Sequence, residues 1–119
     1  MIVDSAVYVD GRRSEPAPLG DGSLRGTREA CRREGGFAWI GLHEPSREEF
    51  ESVAGEFGLR EPAVREAEKG HTRPKIEHYG EILLVVLVAA RYVESSEAVE
   101  FGEIHAFVGP EFIVTVRHG

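Results

Sequence analysis

The sequence predicts an α+β domain, in which a mixed, largely antiparallel sheet of about six or seven strands carries helices on its faces. Strand-like segments outnumber helical ones, and the two kinds are partly segregated along the chain. The apolar run at residues 82–90 has no polar alternation and is far shorter than the ~20 residues of a membrane-spanning helix. We therefore predict that it is a central strand covered on both faces.

Length and composition limit the possible functions. The 119 residues are enough for one domain, residues 1–119, with its own core. A net charge of −7 argues against nucleic-acid binding, which needs clustered lysine and arginine. The single cysteine excludes an internal disulfide and a cysteine-rich zinc site, and it indicates a reducing compartment. The amino-terminal residues lack the basic start of a signal peptide.

The first third of the chain predicts a hairpin followed by a loop. Residues 2–9 and 12–15 are strand-like and are separated by Asp10-Gly11, a strong turn signal. Residues 17–26 are rich in glycine and proline and are predicted to be a surface loop. Their glycines superficially resemble a dinucleotide-binding fingerprint, but no apolar strand leads into them, so the loop interpretation is favoured.

The middle of the chain predicts three helices and one strand. Thr27 is predicted to cap a short helix that ends at Gly35-Gly36. Residues 37–42 then form an interior strand, with Trp39 in the core. A capping box of Ser46 and Glu49 starts the clearest helix, residues 46–57, and a further helix is predicted over residues 61–70.

The last third predicts strands. Residues 94–97 are a polar turn, and residues 99–108 are a long strand with a β-bulge near Gly102-Glu103, where the alternation slips. Residues 112–117 are predicted to be a final strand.

Two groups of residues suggest chemistry. Cys31 could be a nucleophile, but no histidine or aspartate accompanies it locally, so a buried filler is favoured. His71, Glu77 and His78 suggest zinc, yet adjacent residues of a strand point to opposite faces. No nucleophile elbow or phosphate-binding loop is present. We therefore predict that the chain is not an enzyme.

The order of several motifs carries a resemblance to a known family. These are the strand at residues 37–42 followed by Glu44-Pro45, a helix ending in Phe57-Gly58-Leu59, the Arg73-Pro74-Lys75 corner, and the strands after it. Over about residues 35–117, this order resembles the amino-terminal cytoplasmic domain of the CorA magnesium and cobalt transporters. The resemblance implies a regulatory domain of a pentameric membrane protein, at the cytoplasmic face of the cell membrane.

The same resemblance implies what lies outside this chain and which ion is sensed. Family members carry membrane-spanning helices after such a domain, so we expect an excised domain that meets the membrane only through those helices. Mg²⁺ or Co²⁺ is expected as a regulatory ion, because acidic oxygen sites suit such cations.

The metal residues that the resemblance implies lie near the end of the helix predicted over residues 61–70. The family's Glu-Asp pair matches Arg65 and Glu66, so one carboxylate is kept and the other charge is inverted. Glu68 is a second candidate ligand. Because Arg65 repels a cation, the alternative is an assembly or binding module of the same fold without metal sensing.

Overall fold

In the computed structural model, the described residues are 1–14, 24–59, 64–65 and 73–118. They contain two helices and seven strands with defined bounds. The helices are α1 (Leu24–Glu34) and α2 (Arg47–Phe57). The strands are β1 (Ile2–Val9), β2 (Arg12–Ser14), β3 (Phe37–His43), β4 (Lys75–Tyr79), β5 (Ile82–Val93), β6 (Ala98–Val108) and β7 (Phe112–His118).

All seven strands form one sheet in the order β2-β1-β3-β7-β6-β5-β4. Only β3 and β7 are parallel, and the other neighbours are antiparallel. The predicted fold class, a mixed and largely antiparallel sheet with helices, is therefore confirmed. β3 and β7 occupy its middle, which agrees with the aromatic and β-branched character of residues 37–42.

The hydrophobic core lies between one face of the sheet and the two helices. Phe107 of β6 is fully buried, and its ring centroid lies 5.6 Å from that of Phe50 on α2. Phe57 packs in the same way on Phe112, at 5.1 Å. The other members of this cluster include Val7, Ala30, Cys31, Ala38, Ile40, Leu42, Val53, Ala54, Leu84, Val86, Val114 and Val116. We call this side of the sheet the helix face.

Within the described residues, cover is seen on one face of the sheet, and the predicted cover of β5 on its other face stays a prediction. Along β5, side chains alternate between buried Ile82, Leu84 and Val86 and partly exposed Leu83 and Val85. The described helices cover only the helix face. We call the opposite side the open face. An unbroken apolar run identifies a strand whose two sides avoid water, but it does not identify what covers each side.

Local signals placed α2 correctly. The hydroxyl of Ser46 accepts a hydrogen bond from the amide of Glu49 at 3.1 Å, and the carboxylate of Glu49 accepts one from the amide of Ser46 at 3.1 Å. The predicted capping box is therefore confirmed. The helix ends at Gly58, which has a left-handed backbone with φ 69°.

Two local predictions are wrong. α1 begins at Leu24, so Thr27 lies inside the helix instead of capping it. Its hydroxyl is 2.8 Å from the hydroxyl of Ser5 on β1, so tertiary contact determines its role. The β-bulge expected near Gly102-Glu103 is also absent, since β5 and β6 pair in continuous register from Leu83↔Val108 to Val93↔Ala98.

Candidate functional site

Val64 and Arg65, the described residues next to the predicted metal ligands, lie beside α2. Val64 and Arg65 are helical, and they line a surface cleft of about 510 Å³ together with the outer side of α2. The remaining lining residues are Arg47, Glu51, Ala54, Gly55 and Leu59. This placement agrees with a helix near residues 61–70, but the rest of that predicted helix lies outside the described residues.

The described lining of this cleft is more basic than acidic. Its charged side chains are Arg47, Glu51 and Arg65, and the Arg47 guanidinium bonds the Glu51 carboxylate at 3.1 Å. Glu66 and Glu68 lie outside the described residues, so their role as metal ligands stays a prediction.

The Arg73-Pro74-Lys75 corner leads into an ion-paired edge strand. Pro74 precedes β4, and Lys75 at its start bonds Glu77 at 2.8 Å across one intervening residue. The hydroxyl of Tyr79 donates a hydrogen bond to the other carboxylate oxygen of Glu77. These three side chains share one side of β4 because strand side chains alternate. Lys75 therefore contacts a nearby acid of its own strand.

Tyr79 gives this cluster a measurable titration. Its hydrogen bond to Glu77, with smaller contributions from burial and from the charge of Glu77, raises the pKa of Tyr79 to about 12 from 10.0. A raised folded-state pKa means that the stabilising contact is complete below the unfolded value and is lost as pH rises from about 10 to about 12.

We expect an alkaline titration of tyrosine absorbance to contain a component with a midpoint of about 12. Tyr79→Phe should remove this component, and Glu77→Gln should move it to lower pH. If the component persists in Tyr79→Phe, the assignment is wrong.

A zinc site was considered for His71, Glu77 and His78, but the two described members, Glu77 and His78, do not converge. Glu77 pairs with fully buried Leu84, whereas His78 pairs with Leu83 on the open face. The two side chains therefore point to opposite sides of the sheet, as expected from the strand period. His71 lies outside the described residues. Within the described ranges, no group of histidine, cysteine, aspartate and glutamate side chains has the geometry to hold a metal ion.

Cys31 occupies a buried and unreactive position. Its thiol donates to the backbone carbonyl of Gly36 at 2.9 Å and lies 3.6 Å from that of Glu111. Burial first, and then the charge of Glu111, raise the pKa of the thiol. Because the thiolate is the nucleophile, these contacts favour the filler interpretation over the catalytic one. A cleft of about 280 Å³ opens beside it, with Arg28, Glu81 and Glu111 among its lining residues.

The open face is the largest feature that sequence reasoning missed. Leu83, Val108, Ile113 and Trp39 lie side by side across β5, β6, β7 and β3. Trp39 was predicted in the core but is 44% exposed on this face. Its indole donates to the hydroxyl of Thr115 at 3.1 Å. The alternation within residues 37–42 could have indicated this, since Ala38 and Ile40 are buried on the opposite side.

A second missed feature is the histidine of β6. His105 is fully buried on the helix face, and its Nε2 lies 2.9 Å from a carboxylate oxygen of Glu103. Its ring is 5.3 Å from that of His118 on β7. Buried polar groups need hydrogen-bonding partners, and the Glu103 carboxylate supplies one for Nε2 of the buried ring. The spacing of two residues on a strand, which places both side chains on one face, could have found the pair.

Solved structures of CorA and of the CmaX protein share this fold. The chain is similar to the full-length CmaX protein, at 18% identity and a TM-score of 0.66, over 99% of this chain and 35% of that one. It is similar to the soluble domain of CorA from Methanocaldococcus jannaschii, at 12% identity and a TM-score of 0.58, over 94% and 38%. The complete CorA magnesium transporter from that organism matches 67% of this chain and 24% of its own length, at 15% identity and a TM-score of 0.55.

The sequence itself assigns the family. Residues 34–119 match the family described as CorA-like Mg²⁺ transporter protein, so the chain belongs to the CorA family. This confirms the resemblance found in the sequence. The chain spans about a quarter to two fifths of the solved proteins it matches. No curated protein matches it. Among the residues that the structure describes, no helix is long and apolar enough to cross a membrane.

Proposed function

We propose that this chain is the cytoplasmic regulatory domain of a CorA-like divalent-cation transporter and that it takes part in sensing intracellular Mg²⁺. Family membership over residues 34–119 supports the transporter assignment. The observation that carries the domain's role is the open face, because monomeric soluble proteins rarely expose a large contiguous apolar surface.

The open face fits a domain that works inside a larger protein. A second row of neighbouring side chains, Ile76, Val85, Ala106 and Thr115, extends the first across four strands. Ile76 is 65% exposed, so covering this face removes apolar surface from water. We assign the cover to the helices that follow such a domain in family members. These helices also connect the domain to the membrane and assemble the subunits into a pentamer.

In the proposed mechanism, Mg²⁺ links neighbouring subunits through carboxylates. Glu66, with Glu68 as a second candidate, supplies oxygen ligands, and Mg²⁺ suits this role because it binds through few carboxylates and keeps several waters. The bound ion offsets repulsion between acidic surfaces. When the ion is scarce, the surfaces separate and the gate is released. The ion is regulatory, and no catalytic step is assigned to the chain.

Sedimentation of this chain with and without millimolar Mg²⁺ tests the sensing proposal. We expect Mg²⁺ to increase association of the wild-type chain and to have no such effect on Glu66→Ala. The matched control is Glu48→Ala, which removes an exposed carboxylate from the first turn of α2 and should respond as the wild type does. An equal response of Glu66→Ala and the wild type contradicts the assignment of Glu66.

One observation favours an assembly module without metal sensing. Arg65 stands where the family resemblance places the first carboxylate of the acidic pair, so a positive charge replaces one candidate ligand. Arg65→Glu separates the two proposals, since it restores the acidic pair of the family. Stronger Mg²⁺ binding in this variant supports a weakened sensor, whereas unchanged binding supports the assembly module.

A further inference from the structure

The β5-β6 hairpin extends beyond the rest of the sheet. β4 pairs with β5 only as far as Val86, and β7 pairs with β6 only from Glu103 onward. Past those residues, β5 and β6 pair only with each other within the described part of the chain, as far as Val93↔Ala98. We call residues 87–102 the projecting ribbon. A two-stranded ribbon alone is marginally stable in water, so contacts with a partner are favourable there.

One side of the projecting ribbon is apolar and exposed. Tyr92 pairs with Val99, and Ala90 pairs with Phe101, so these side chains lie together on the continuation of the helix face. Their exposed fractions are 61% for Tyr92, 51% for Val99 and 70% for Phe101. Tyrosine and phenylalanine are enriched at protein interfaces, and this strip presents both without a described cover.

The rim of this strip is acidic. Glu94 and Glu97 are exposed in the turn at the tip, and Glu100 is exposed on β6. Arg91 is the basic residue of the projecting ribbon, and it bonds Glu100 at 2.7 Å. Because Glu100 alternates with Val99 and Phe101 along β6 and bonds Arg91, it lies on the other side of the projecting ribbon. Glu94 and Glu97 are the exposed carboxylates at the tip, next to the aromatic strip. Guanidinium groups suit such a surface, because they stack on aromatic faces and bond carboxylates.

Exposed arginines lie at the far end of the same molecule. Arg32 and Arg33 are exposed in the last turn of α1, and Arg12 is exposed at the start of β2. Gly36 follows α1, and its backbone lies against the carbonyl of Tyr8 near the end of β1. Arg12 of β2 pairs with Val9 at the same end of β1. Among the described residues, the sequence neighbours of these arginines include two acids, Asp10 and Glu34. We call Arg12, Arg32 and Arg33 the arginine end.

The two surfaces cannot meet within one chain. Tyr8 pairs with Phe37, at the end of the sheet where β3 begins, whereas the projecting ribbon extends past His118, where β7 finishes. Since β3 and β7 run parallel, these are opposite ends. The molecule measures 48 Å along its longest axis, which is beyond the reach of any side chain.

We propose that the projecting ribbon binds the arginine end of a second copy of this chain. Arginines of one copy stack on Tyr92 and Phe101 of the other and pair with its acidic rim. The interface is heterologous, with different surfaces on the two partners, so each copy can bind one neighbour at each end. The contact does not use Glu66 and needs no metal ion.

Sedimentation over a concentration series with a chelator present tests this proposal separately from Mg²⁺ sensing. We expect concentration-dependent association of the wild type. Phe101→Ser and the double variant Arg32→Glu/Arg33→Glu should each weaken it by about tenfold or more, which is the loss typical of interface hot spots. All three positions are exposed, so far-UV circular dichroism should show unchanged folding.

The open face needs its own control. Ile76→Ser changes a residue of that face that is 65% exposed and lies outside the projecting ribbon. This variant should associate as the wild type does. If Ile76→Ser weakens association while Phe101→Ser does not, the copies meet through the open face and the proposal is wrong.

Mixing the two defective variants gives the sharpest result. Phe101→Ser keeps an intact arginine end, and the double arginine variant keeps an intact projecting ribbon. A heterologous interface therefore predicts a one-to-one complex in the mixture although neither variant associates alone. The proposal is overturned by a mixture that stays monomeric or by a wild type that stays monomeric at millimolar concentration. It is also overturned if Phe101→Ser or the double arginine variant associates like the wild type.

Discussion

Replacing Phe107 with alanine is expected to lower the free energy of unfolding by about 3–5 kcal/mol. Phe107 is fully buried at the centre of the helix face, and its ring contacts Phe50 on α2. The change removes the transfer free energy of the ring and leaves a cavity that a close-packed core fills only in part. It also removes the aromatic contact between the sheet and α2. Urea denaturation followed by circular dichroism measures the loss.

Phe101→Ala is the matched control, since it makes the same substitution on the same strand. Phe101 is 70% exposed, so at concentrations where the chain is monomeric its loss should change stability by no more than about 0.5 kcal/mol. If the two variants are equally stable, the assignment of the helix face as the core is wrong.

Gly36→Ala is expected to destabilise the chain by about 1–3 kcal/mol. A Cβ atom at this position meets the carbonyl oxygen of Tyr8 at 2.6 Å and the side chains of Val7 and Val9 at 3.0 Å. The obstacle is backbone of a paired strand, so relief requires β1 or the turn between α1 and β3 to move. That movement disturbs the contact of α1 with β1 and its buried residues Ala30 and Cys31.

Gly55→Ala makes the same substitution, but we expect it to stabilise the chain instead of destabilising it. Gly55 lies inside α2, and a Cβ atom there meets nothing within 4 Å. Alanine should therefore stabilise the helix by about 0.5–1 kcal/mol, because it restricts the unfolded chain. Thermal unfolding of both variants checks the pair, and a stabilising Gly36→Ala contradicts the close approach of the turn to β1.

Features set by neighbouring residues were predictable from the sequence. The capping box of Ser46 and Glu49 satisfies backbone groups within one turn, so its signal is complete in the local sequence. The Asp10-Gly11 turn is also local, and both residues adopt positive φ. Thr27 shows the limit of such signals, since it pairs with Ser5 on a distant strand.

What covers each face of the sheet was not predictable in the same way. The run at residues 82–90 correctly indicated an interior strand. Its apolar side chains on the open face, however, are not covered by the described helices. Trp39 was misplaced for the same reason. An apolar side chain indicates that its face of the strand avoids water. It does not indicate whether that face is covered by the same domain or by another part of a larger protein.

The candidate site was found by motif order instead of by local physics. Family resemblance placed Glu66 relative to the Arg73-Pro74-Lys75 corner, and the family match over residues 34–119 confirms that resemblance. The described neighbourhood of Arg65 adds what the sequence did not show, a cleft lined by Arg47 and Glu51 as well. Which residues distant in sequence line one cleft depends on tertiary packing.

Hydrogen exchange with and without Mg²⁺ tests the central claim most directly. Mg²⁺ should slow amide exchange in peptides that cover residues 61–70 of the wild-type chain, because a bound ion stabilises the segment that holds it. Glu66→Ala should abolish this protection and leave exchange elsewhere unchanged. A sensor at this position is contradicted if Mg²⁺ slows exchange in none of these peptides, or if it slows exchange equally in Glu66→Ala.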